Sequence, residues 1–150
     1  MTSVLIVKHA RGAPGLRMLG LGPDFQPSQG ITKLQRLFDQ HAFWARNRTK
    51  NDLQRMLAKS SVVITLWRNR RLVGFGRATS DEIYRAVLWD VVVADDLQGL
   101  GLGRIVVETL LESPKIRNVE RVYLMTTNSS EFYEQMGFHI SKNQQLLISN

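Results

Sequence analysis

The sequence predicts an α/β domain built on a mixed sheet, and three observations carry that prediction. A polar turn, Arg68 to Arg71, separates two β-rich runs at 62–67 and 72–76, as in a hairpin. A nearly continuous apolar run follows at 86–93, as expected of a strand covered on both faces. From there helical and strand-like segments alternate. The 150 residues suit one domain over 1–150, since domains run to roughly 100–200 residues.

In chain order, 4–8 reads as an opening strand. Between 11 and 30 the composition shifts to Gly and Pro (Gly12, Pro14, Gly15, Gly20, Gly22, Pro23, Pro27, Gly30), which predicts a loop. Ile31, Leu34, Leu37 and Phe38 then recur at helical spacing, as do Leu53, Met56 and Leu57 after an Asn51 cap. The hairpin comes next, then a turn at Asp81 and Glu82 and the apolar strand. Residues 103–112 form a helix with Val106, Val107, Leu110 and Leu111 on one stripe and Arg104 paired to Glu108 outside. Pro114 ends it. A strand at 122–125 precedes a short helix at 129–136, with Asn128 as its cap, Glu131 reaching back and Gly137 as its stop. From Phe138 one more strand or hairpin is expected.

Composition excludes several classes. With no Cys there is no disulfide scaffold, no thiolate zinc site and no cysteine nucleophile. His9, His41 and His139 match no metal spacing and read as surface or satisfied core residues. No apolar run is long enough to cross a membrane, and no secretory signal opens the chain, so the expected compartment is the cytoplasm. The net charge of +7 is scattered, without a nucleic-acid-binding signature, so no nucleic-acid partner is expected.

Chemistry concentrates where the apolar strand runs into Gln98-Gly99-Leu100-Gly101-Leu102-Gly103-Arg104. Glycines let backbone N–H groups approach an anion, and a following helix start adds about half a positive charge. That makes a pyrophosphate cradle. The phosphate loop of nucleotide triphosphatases needs G-x-x-x-x-G-K-[ST]; counted from Gly99 the sixth position is Arg104, and no Lys-Ser/Thr pair follows. A dinucleotide G-x-G-x-x-G fits poorly, since its last position from Gly101 is Val106, although Glu120 lies at the right distance for a ribose contact. The pattern Q/R-x-x-G-x-G/A is met by Gln98, Gly101 and Gly103.

This segment resembles the acetyl-CoA motif of the GCN5-related N-acetyltransferase (GNAT) superfamily. Its companion is Phe132-Tyr133 followed by Gly137-Phe138, similar to the family's F-Y-x-x-x-G-F helix. Residues 71–81 and 88–93 further resemble the plastid and cyanobacterial branch that includes serotonin N-acetyltransferase-like enzymes. The likeness is strong over 62–138 and poor over 11–30; Thr126 and Ser129 stand where the family often has Asn and Ala. The resemblance implies the GNAT fold: a mixed, mostly antiparallel central sheet flanked by helices. It implies acetyl-CoA as co-substrate, its pantetheine arm along Val91, Val92 and Val93, its pyrophosphate on the amides of 98–104, and Asn128 as a further cofactor-binding residue.

Without a cysteine to carry the acetyl group, direct attack by a primary amine is expected. Tyr133 matches the family's general acid. Asp90 is the candidate base, the only charge inside an apolar strand, where burial would raise its pKa; Glu82, Asp81 or a water relay are the alternatives. Phe43 and Trp44 either wall an aromatic-amine pocket or, as favoured, belong to the core. The acceptor is a small arylalkylamine, or else a protein N-terminus or lysine. A non-catalytic acyl-CoA sensor shares the same cradle. By resemblance, Leu146 to Ile148 suits a C-terminal strand of a homodimer.

Overall fold

The computed structural model describes residues 3–150. Met1 and Thr2, part of the N-terminal stretch read for a secretory signal, lie outside them. Five strands form one sheet in sequence order: β1 (Leu5–Lys8), β2 (Val62–Arg68), β3 (Arg71–Ser80), β4 (Arg85–Val93) and β5 (Arg121–Leu124). The first three pairings are antiparallel and β4 pairs parallel with β5, so the mixed, mostly antiparallel sheet expected from the sequence is present. The helices are α1 (Pro14–Leu19), α2 (Gly30–His41), α3 (Lys50–Ala58), α4 (Leu102–Glu112) and α5 (Ser130–Glu134). The parallel crossover from β4 to β5 runs through α4, as parallel neighbours require.

Adjacent residues of β3 show how the layers are arranged. The Phe75 ring meets Phe38 of α2 edge-on at 5.3 Å. A Cβ on the next residue, Gly76, would stand 2.4 Å from Val106 of α4. Successive strand residues face opposite ways, so α2 and α4 cover opposite faces. Ile31, Leu34, Leu37 and Phe38 are all buried, as the helical stripe required.

Four local expectations are corrected. The segment 11–30 is not all loop: it contains α1 and a short turn at Pro23–Phe25. Pro14 opens α1 and Gly20, at φ +62°, closes it, so residues counted as breakers are its terminators. The cap of α3 is Thr49, whose side chain accepts from the Asp52 amide, rather than Asn51. Asn128 does not cap α5: Ser129 holds that position and makes no side-chain cap bond. Beyond Phe138 the described chain forms no strand, and Ile140, Leu146, Leu147 and Ile148 are exposed.

His9 joins β1 to the core through a buried relay. The Trp67 indole donates to Thr65 Oγ1 at 2.8 Å, leaving the hydroxyl hydrogen for His9 Nε2, also at 2.8 Å. Burial pushes the imidazole down from 6.5 to about 4. The unfolded chain therefore takes up this proton first, and the stabilisation is complete above pH 6.5 and lost as pH falls towards 4. That difference corresponds to about 3 kcal/mol. Urea unfolding at pH 7 and pH 4.5 should show a smaller loss in His9→Gln than in the unaltered chain; equal losses would remove His9 as the cause.

Candidate active site

The cradle begins where β4 ends. A 3₁₀ turn at Asp95–Leu97 leads into Gly99 and Gly101, at φ +84° and +80°, and α4 starts at Leu102. Left-handed backbone at both positions explains the two glycines, and nothing lies within 4 Å of where their Cβ atoms would stand. The third glycine has a different reason: a Cβ on Gly103 would approach Phe132 of α5 to 3.2 Å. The first α4 hydrogen bond runs from the Ile105 amide to the Gly101 carbonyl. Amides of Leu102, Gly103 and Arg104 therefore precede the helical ladder and face outward from the helix start. Gln98 precedes this loop and donates from its side chain to Asp95, while Arg104 pairs with Glu108 at 2.6 Å. Leu100 is exposed. The segment 98–104 thus has the open, donor-rich backbone that a diphosphate needs.

Strand β5 pairs with β4 only as far as Leu88 with Leu124. From Trp89 to Val93 that side of β4 has no strand partner among the described residues, which leaves an opening between the two strands that Val91 lines. The opening leads to a cavity of about 410 Å³ whose lining includes Phe43, Trp44, Asp90, Asn128 and Tyr133. Phe43 and Tyr133, 90 positions apart in the chain, both line it. Tyr133 packs edge-on against Phe132 at 5.0 Å and Phe138 at 5.7 Å, and burial pushes its phenol above the ordinary tyrosine value. A phenol so placed remains protonated across neutral pH. A larger depression, about 660 Å³, lies on the outer side of β5 against Tyr123 and Phe138 and holds neither Asp90 nor Tyr133.

Asp90 occupies a β-bulge. Phe75 pairs with Val92 but Arg77 with Trp89, so Asp90 and Val91 together oppose Gly76. The φ of Asp90 is +56°, a left-handed conformation that Asp tolerates better than most residues. Its side chain is 4% exposed and receives three donors: Trp44 Nε1 at 3.0 Å on Oδ1, then Arg77 Nε at 2.9 Å and Arg48 Nη1 at 3.1 Å on Oδ2. Burial alone would push the carboxyl up, but the hydrogen bonds and charges of Arg48 and Arg77 outweigh it and hold the group below the usual carboxylate range. The expectation of a carboxyl raised towards neutrality is therefore corrected.

The alternative bases are engaged elsewhere. Asp81 Oδ1 accepts from the amides of Ile83, Tyr84 and Arg85, and Glu82 pairs with Arg11. His41 accepts from the Asp95 amide at 3.1 Å, so it and His9 are satisfied residues as read. Phe43 and Trp44 are 61% and 47% exposed and wall the cavity, which overturns their placement in the core. Sequence reasoning missed Arg48 and Arg77; an arginine inside the buried run of β3 was the available signal for the second, and no signal marked the first.

The Acetyltransferase (GNAT) family profile matches residues 29–138. The chain is 39% identical over 87 residues to the "Uncharacterized N-acetyltransferase ycf52" of Pyropia yezoensis, covering 55% of this chain and 50% of that protein. It is 29% identical over 109 residues to the chloroplastic GCN5-related N-acetyltransferase 1 of Arabidopsis thaliana, covering 72% and 55%. The chain thus spans about half the length of these curated relatives. Its fold matches a solved structure of a GNAT family protein from Xanthomonas campestris pv. campestris, with TM-score 0.75, 21% identity and coverage of 100% and 94%.

Proposed function

Since the chain belongs to the GNAT acetyltransferase family, we propose that it moves an acetyl group from acetyl-CoA directly to the primary amine of a small arylalkylamine. The observation that carries this reading is an unpaired β4 edge beside a cavity lined by Asp90, Val91 and Tyr133, with a left-handed glycine loop following the same strand. The residues present fit the co-substrate: amides of 98–104 would hold its diphosphate, and Val91 to Val93 would present backbone groups to its pantetheine arm. Acetyl-CoA supplies a thioester, whose C–S bond breaks as the amine nitrogen bonds the carbonyl carbon. Tyr133 donates a proton to the departing sulfur and regains one, relayed through water, from the nitrogen that becomes the amide. Asn128 lies on the cavity wall within the same opening.

Asp90 serves this reaction as a positioning residue. Its carboxylate ties Trp44 to the bulge, and so fixes the aromatic pair Phe43 and Trp44, 5.2 Å apart, over the cavity. The amine loses its proton to water before attack, because no unengaged carboxylate lines the cavity among the described residues. Asp90 is the one carboxylate among the described residues on the cavity lining, and Arg48 and Arg77 already pair with it, so the lining offers no free anionic group to hold a polycation.

An acceptor panel of tryptamines, polyamines, aminoglycosides and short peptides, read by CoA thiol release, tests this. Tryptamines should turn over best. Trp44→Ala should raise their KM about tenfold, the worth of one aromatic contact of roughly 1.4 kcal/mol. Release with peptides alone would make the acceptor a protein amine. Acetyl-CoA binding with no release from any acceptor would make the chain a sensor.

A further inference from the structure

On the far side of the hairpin, α2 and the β2–β3 turn enclose a separate depression of about 470 Å³. Its lining includes Lys33, Arg36, Arg70 and Arg71, together with Gln40 and His41, and no carboxylate. Arg71 has an acidic partner: it bonds Asp96 through two nitrogens at 2.7 and 2.8 Å. No ion pair among the described residues includes Lys33, Arg36 or Arg70.

The main chain holds two of these cations in place. Lys33 Nζ donates to the Arg70 carbonyl and stands 5.6 Å over the Trp67 ring. Arg70 Nη2 donates to the Pro27 carbonyl at 3.1 Å. A carbonyl fixes a cation without cancelling its charge, so like charges from two elements are kept together. Burial, then Arg70 and Arg36, hold the Lys33 ammonium below the ordinary lysine value. A merely solvated basic face would let these flexible side chains spread apart; here two of them are tied to the main chain beside one open depression.

We propose that this depression binds a small phosphate-rich anion, at a site separate from that for acetyl-CoA. Three uncompensated cations match the charge of an oligophosphate better than that of a single carboxylate, and guanidiniums bond phosphate oxygens in pairs. A polynucleotide would call for cations spaced along a track rather than gathered at a point. The depression shares no residue with 98–104, and the Arg71–Asp96 pair stands between them. It is nonetheless linked to the cradle, because Arg71 and His41 contact Asp96 and Asp95 in the turn that leads into it.

Titration calorimetry of the full chain with sodium tripolyphosphate at low salt, first alone and then with CoA saturating, provides the test; it needs no turnover. Saturable one-to-one binding should persist with CoA present. It should weaken at least tenfold in Arg36→Ala/Arg70→Ala and in the single charge reversal Arg36→Glu, both at exposed positions. CoA affinity should stay within twofold in each variant. Absence of saturable heat, equal affinity in the variants, displacement by CoA, or binding of a single-stranded RNA 12-mer but not tripolyphosphate would each overturn the proposal. So would variants that weaken CoA but not dephospho-CoA, since the depression would then hold the 3′-phosphate of CoA itself.

Discussion

Tyr133→Phe is expected to lower kcat by about 10²- to 10³-fold, within the range that one positioned proton donor supplies. The ring is retained, so its edge-on contacts with Phe132 and Phe138 persist and α5 keeps its place against Gly103. CoA affinity should therefore change by less than about twofold, which a variant with a disrupted cradle would not show. Burial raises the phenol, so the unaltered protein should show no descending pH limb until above the ordinary tyrosine value near 10. Below that, the rate should climb with pH as the acceptor amine loses its own proton. Steady-state kinetics with the best acceptor, from pH 6 to 10, measure both effects. Full activity in the Phe variant, or an enzymic limb near neutrality, would move the acid role to another group.

What the sequence disclosed and what it hid divide along contact distance. The glycine loop was legible because its parts are consecutive: an apolar strand, alternating glycines and a helix start all fall within 91–104. The core stripes of α2 and α4 were legible for the same reason, since a 3.6-residue period is a local property. Helix α1 was not, because Pro and Gly were counted as breakers when Pro14 and Gly20 delimit six residues that bury Leu16. Asp90 stands out in sequence as a charge in an apolar run, but its state is set by Trp44, Arg48 and Arg77. Two of these are more than 40 positions away in the chain. The bulge that turns Asp90 towards them depends on the register between β3 and β4, which hydrophobic periodicity does not encode. Phe43 and Trp44 were misplaced because an aromatic pair at the end of a helical stretch looks alike in sequence whether it faces a core or a cavity.

Removing the Asp90 carboxylate should cost the fold more than any other single change near the site. In Asp90→Ala, Arg77, 14% exposed, loses its ionic partner together with Arg48, and the Trp44 indole loses its acceptor. Breaking a buried pair from one side typically costs about 3–5 kcal/mol, because a charge is left uncompensated. Alanine at φ +56° adds a further penalty of about 1 kcal/mol for left-handed backbone. For a domain of this size the melting temperature should fall by roughly 10 °C or more. Asp90→Asn separates the components, since Asn tolerates the same backbone and can still accept from Trp44 but carries no charge. Its melting temperature should fall by less than that of the Ala variant. If Asp90 were instead a base with no structural duty, both variants would melt within about 2 °C of the unaltered chain and lose activity alone. Thermal unfolding beside kcat distinguishes the two. In the positioning account, kcat falls in parallel with loosening of the Trp44 wall, and Asp90→Asn keeps more of it than Asp90→Ala.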